Sequence, residues 1–119
     1  MNNFDKHAIF KVGYSEANSR KIQELLFELG YLWGDNHKSS YNENVINRYK
    51  EFAAIQIERH KFMHFGDINN YNISFEYKDC HRFDVETNWD EIEKFMGIDH
   101  TNYHKVYFKN KAYLIKNTS

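Results

Sequence analysis

A chain of 119 residues fits one folding unit, and we expect a single α+β domain over 1–119; its 10 Phe, 9 Tyr and 2 Trp supply ring surface for a core and argue against disorder. Lys and Arg number 16 against 17 Asp and Glu, so nucleic acid is not favoured by charge, and the strong negative balance of an acidic DNA mimic is missing as well. The one cysteine, Cys80, excludes an intramolecular disulfide and suits a reducing compartment, and no stretch reaches the ~18 apolar residues of a membrane span. Met1 to Asp5 lack the basic start and apolar run of a signal peptide. The expected location is the cytoplasm, with no membrane partner.

In chain order, Ala8 to Val12 is short, apolar and β-prone, and reads as a strand. Ser15 is placed to cap a helix from Glu16 to Leu29, in which Ile22, Leu25, Leu26 and Leu29 recur at helical spacing. Gly30 follows where a left-handed terminating glycine is expected. Tyr31 to Trp33 is a strand ended by Gly34-Asp35-Asn36. The polar stretch from His37 to Lys50 is a long loop with a helical turn near Val45–Tyr49. Phe52 to Glu58 is a strand with Ile55 and Ile57 on one face, and Phe62 to Phe65 is another, ended by Gly66-Asp67.

Asn69-Asn70 reads as a turn, and Ile73, Phe75 and Tyr77 alternate with polar residues, predicting a strand over Tyr71–Tyr77 with one wet face. Asn88 and Glu91 form a capping-box pattern ahead of a short helix that Gly97 stops. Lys105–Phe108 and Ala112–Ile115 predict a terminal hairpin. The expected fold is a mostly antiparallel sheet with one long N-terminal helix and one short C-terminal helix.

Four groups of residues bear on chemistry. His60/His64 and His100/His104 are each spaced by four, a separation that brings two ligands together only on a helix. His100 and His104, in a connection able to form a helical turn, are the better metal candidates, though a zinc site needs further ligands such as Cys80, His81 or Asp99. Surface histidines are the plainer reading, and no metal or other cofactor is expected. Cys80 and His81 are neighbours whose side chains diverge on a strand, which does not suit a thiolate and its base.

Asp67, Glu76 and Lys78 form an Asp followed by Glu-x-Lys, with the upstream helix offering Glu24 or Glu28. This resembles the core of the restriction-endonuclease-like superfamily, and the resemblance implies a small Mg-dependent nuclease whose two carboxylates hold the metal and whose lysine supports the attacking water. Gly66 stands where that family often has proline. The alternative is a hairpin with charges on its solvent face. The fourth group is the aromatic one: Tyr71, Tyr103, Tyr107 and Tyr113 alternate with Lys and Asn and are candidates for a binding surface. The ring count also makes a homodimer a natural way to bury what a small core leaves over.

The block Ile9 to Val12 followed by Ser19 to Trp33 (Gln-x-x-Leu on the helix, then Gly-Tyr-x-Trp) resembles a pattern of small bacteriophage-encoded accessory proteins, and Phe62–Asp67 resembles its continuation. The resemblance covers the first 67 residues. It implies a non-enzymatic binding protein that inhibits or sequesters a host factor, as anti-CRISPR and other anti-defence proteins do. The implied partner is a host protein or a small nucleotide signal.

Overall fold

The computed structural model describes residues 7–98, and the backbone of 103–108 and 111–116. Chain order is β1 (Ala8–Lys11), α1 (Glu16–Glu28), β2 (Leu32–Trp33), α2 (Asn44–Tyr49), β3 (Ala53–Glu58), β4 (Phe62–Asp67), α3 (Ile68–Ile73), β5 (His81–Asp84), α4 (Trp89–Phe95), β6 (Tyr103–Phe108) and β7 (Lys111–Lys116). One five-stranded sheet has the order β2-β4-β3-β1-β5, and β6 and β7 form a separate hairpin whose β7 lies along α1.

The sheet is mixed. Its centre, β1-β3-β4, is antiparallel, while β2 joins β4 and β5 joins β1 in parallel. This corrects the expected mostly antiparallel sheet, and four α-helices replace the expected two among the described residues. Both parallel partners are edge strands of two and four residues. Runs that short carry no periodicity from which strand direction could be read.

The sheet is covered on both faces. On one, Phe10, Ile55, Ile57 and Met63 meet Ile22, Leu25 and Leu26 of α1, Val45 and Ile46 of α2, and Trp89, Ile92 and Met96 of α4. On the other, Ile9 and Ala54 pack under Tyr71, with Ile68, Tyr77 and Cys80 around them. The central strand β3 is therefore buried along both faces, Ala53 to Ile57.

Helix α1 forms where its pattern places it. Ser15 is extended (φ −146°, ψ 114°) and its side chain accepts from the Asn18 amide, as an N-cap residue does. Gly30 takes the left-handed φ of 92°. Its buried face is not wholly apolar: Ser19 and Gln23 are fully enclosed. Gln23 Nε2 donates to Ser19 Oγ at 2.9 Å and to the Asn42 carbonyl at 3.1 Å, and the Asn42 N–H donates to Gln23 Oε1 at 2.8 Å. The side-chain amide thus pairs with the backbone N–H and C=O of one residue 19 positions away and fixes the far end of the long loop against the helix.

The segment expected as strand Tyr71–Tyr77 is helix α3 followed by a 3-10 turn, Phe75–Tyr77. The Asp67 carboxylate accepts from the Asn69 amide at 2.7 Å and caps α3, so the residues read as a turn lie inside a helix. The alternating Ile73 and Phe75 point outward, 83% and 79% exposed. Tyr71 and Tyr77 instead turn inward and meet edge to face at 4.9 Å. Gly66 permits this cover, because a Cβ there would sit 3.2 Å from the Tyr71 hydroxyl oxygen.

Gln23→Ala leaves the Asn42 N–H and C=O without their partner. We expect a loss of about 1–3 kcal/mol in urea unfolding, with faster hydrogen exchange at Asn42 than at the centre of β3.

Candidate functional site

The sequence-derived site residues are scattered by the fold. Asp67 ends β4 and is engaged in capping α3, whereas Glu76 and Lys78 belong to the exposed 3-10 turn and the residue after it. The strand expected over Tyr71–Tyr77 does not form, and Lys78 Nζ lies 4.5 Å over the ring of Phe75. Among the described residues no three His, Cys, Asp or Glu side chains are grouped to hold a metal ion.

Tyr71, expected in an exposed contact surface, is 7% exposed. It is a core residue of the smaller face, and its misplacement follows from reading α3 as a strand. Tyr103, Tyr107 and Tyr113 lie on the β6–β7 hairpin, where Tyr113 is opposite Val106; their side chains lie outside the described residues. His104 is in β6 opposite Ile115, so its backbone is extended rather than helical, and His100 lies outside the described residues. Cys80 is half-buried, and desolvation pushes its thiol up; Asp79 and Glu76 add to this while Arg82 opposes it. His81 is exposed, with its ring 4.8 Å from that of Phe95. His60 is in a tight turn at φ 64°, away from the strand that carries His64.

The described residues do form a cleft, at the β2 edge of the sheet. Its construction begins with Trp33, a core residue at 2% exposure whose indole N–H donates to the Ser40 carbonyl at 3.0 Å. The Trp33 amide donates to the Lys38 carbonyl, and the His37 amide to the Trp33 carbonyl. With the Gln23–Asn42 pair, these bonds hold residues 34–42 as a wall beside the sheet. Arg20 stacks 4.0 Å over Tyr41 on the outside of that wall, and the His37 ring stacks on Phe62 at 5.2 Å.

The opposite wall is the C-terminal end of α2, with Arg48 and Tyr49, and the floor is Met63-His64-Phe65 of β4. The enclosed space is about 210 Å³. It adjoins a polar depression of about 460 Å³ that shares Trp33 and Asp35 and continues past Asn36 to Glu43. Phe65 is held edge-on by Trp33 at 5.6 Å and by Tyr49 at 5.9 Å. His64 Nε2 is 3.1 Å from Glu58 Oε1, and its ring lies on Gly34: a Cβ at that position would be 2.2 Å from His64 Cε1.

Backbone strain borders the cleft. Lys50, directly after α2, has φ 52° and ψ −126°, a combination that belongs to glycine. The helical turn expected near Val45–Tyr49 is present as α2, but nothing in the sequence marks its C-terminal end as facing the β4 edge, so the cleft is not legible there. The apolar spacing of Val45, Ile46 and Tyr49 signals the helix alone.

Comparisons of the chain with protein-family models, with curated proteins and with solved structures give no match. No helix among the described residues is long and apolar enough to cross a membrane.

Two predictions follow from this geometry. Gly34→Ala pushes the His64 ring aside, and because that ring is the half-exposed end of a flexible side chain the cost is at most about 1 kcal/mol, the scale of its contact with Glu58. In a His64→Ala background most of that cost disappears, which a double-mutant cycle by chemical denaturation reads directly. Burial, with Tyr77, Tyr49 and Glu58 nearby, raises the Tyr71 hydroxyl well above its ordinary value. The unfolded chain ionises this group near pH 10 while the folded chain keeps it protonated. Its contribution to stability is therefore complete below about pH 10 and is lost as pH rises toward the folded value. Tyr71→Phe should show a shallower alkaline loss of stability than the parent chain when urea midpoints are compared across that range.

Proposed function

We propose that this chain works by binding, as a non-enzymatic protein that inhibits or sequesters a host factor, in the manner its resemblance to phage accessory proteins implies. The observation that carries the reading is the cleft between the Gly34–Asn42 wall and the end of α2. It combines half-buried rings, an exposed guanidinium and an exposed carboxylate over a strand edge. Aromatic and arginine side chains in one recess are the usual anchors of protein recognition. The nuclease alternative has no comparable support, because Asp67, Glu76 and Lys78 are carried by elements that serve other structural ends.

The role calls for a partner present in the cell that the chain meets. Affinity capture from a bacterial host lysate, with mass spectrometry of both the proteins and the small molecules retained, tests it. The expected result is one protein or nucleotide held in stoichiometric amount. Background proteins alone, with no retained nucleotide, would overturn the reading.

A further inference from the structure

We propose that the open edge of β4 receives an extended segment of the partner protein, which adds to the sheet beside Phe65 with an acidic side chain on Arg48 and a basic one toward Asp35 and Glu43. The inference rests on the binding reading above and gives the chemistry of the partner.

The first ground is the backbone. β4 runs for six residues, but β2 pairs only with Phe62 and Met63. The last bond of that ladder is the Gly34 N–H to the Met63 carbonyl, at 3.0 Å, after which the chain turns away through Gly34-Asp35-Asn36. Along a strand, the N–H and C=O of alternate residues face the same edge. Since Met63 faces β2, Phe65 turns its own N–H and C=O to that edge, one step beyond the last residue of β2. A strand has thus been ended early, leaving a donor and an acceptor aimed into the cleft. Folded proteins usually shield such edges, and strand addition is a recurrent mode of peptide recognition.

The second ground is shape. The space in line with β2 is the cleft of about 210 Å³, floored by Met63, His64 and Phe65. It continues into the polar depression of about 460 Å³, and the two together make a trough over a strand edge, a shape that suits chain passing through it. An added strand runs about 4.8 Å from β4, the spacing that β2 already keeps. The wall from Gly34 to Asn42 is fixed through its own backbone, so the trough is built before anything enters it.

The third ground is charge. Arg48 is exposed and has neither an ion pair nor a hydrogen bond among the described residues, and guanidinium favours carboxylate in a paired, planar contact. On the other wall stands Asp35, and the depression beyond it ends at Glu43. The groove is positive at the C-terminal end of α2, at Arg48, and negative toward Asp35 and the N-cap of the same helix, Glu43. A segment with an acidic residue at one end of its paired stretch and a basic one at the other matches both, and the reversed order meets like charges.

A displayed library of random twelve-residue peptides, selected on the immobilised full chain, tests this. Enriched sequences should share an acidic and a basic residue at fixed separation. A synthetic peptide of that sequence should slow hydrogen exchange at the Phe65 amide. Arg48→Gln, at an exposed position, should leave the thermal midpoint unchanged and weaken the peptide about tenfold or more, the scale of a lost charge-assisted hydrogen bond. N-methylation of the peptide residue that pairs with Phe65 should abolish binding. The inference is overturned if no sequence is enriched, or if the enriched peptides bind without dependence on Arg48 and without protecting Phe65. Should the chain still capture a host factor from lysate in that case, only the edge inference falls; if it captures none, the binding reading falls with it.

Discussion

The constraint on which the rest depends is that β3 is buried along both faces. A strand in that position needs cover above and below, and the sequence supplies two unequal covers. Three helices, α1, α2 and α4, close one side over Phe10, Ile55 and Ile57. Among the described residues the other side presents the smaller set Ile9, Ala54 and the buried Gln56, and the short helix α3 with the 3-10 turn after it closes it, through Tyr71 with Ile68, Tyr77 and Cys80 around it. The small side chains of Ala54 and Gly66 are what let Tyr71 come so near the sheet.

The same economy shapes the β2 edge. Two residues of strand suffice to anchor Trp33 in the core, and the loop from Asp35 to Asn42 is held by polar bonds and ring contacts instead of sheet pairing. The buried amide of Gln23 is central, since it takes both backbone hydrogen-bonding groups of Asn42, and an unmet pair there would be costly in a low-dielectric setting. Loop, helix end and strand edge thereby enclose a recess that no single element could form.

Much of this architecture was legible in the sequence, and the reasons for the failures are specific. Helix α1 was readable because capping, periodicity and terminating glycine agree. Strands β1, β3 and β4 were readable because their apolar runs are bounded by turn residues, and α4 likewise has both ends marked. The region 68–77 was misread because Ile73, Phe75 and Tyr77 alternate by chance; the side chain that decides its structure is Asp67, whose capping role cannot be separated from a strand end by pattern alone. Sheet direction at the edges was unreadable for want of length. The candidate site was not legible at all. Asp35, Arg48 and His64 are 13 and 16 residues apart in sequence, and they meet only through the parallel pairing of β2 with β4 and the packing of α2 on β3 and β4. Tyr71 illustrates the converse, since a ring that looks suited to a surface can be the piece that a thin layer needs to close.

The manner in which the loop is held decides which of its side chains can be replaced. Gln23 grips the backbone N–H and C=O of Asn42 and Trp33 grips the carbonyls of Lys38 and Ser40; neither bond reads the side chain it passes. Side chains at Asp35, Lys38 and Ser39 can therefore change while the path of the chain persists, whereas Asn36, which accepts from the Lys38 amide, and His37, stacked on Phe62, belong to the frame. The loop thus joins a fixed backbone path to a few replaceable side chains at its rim.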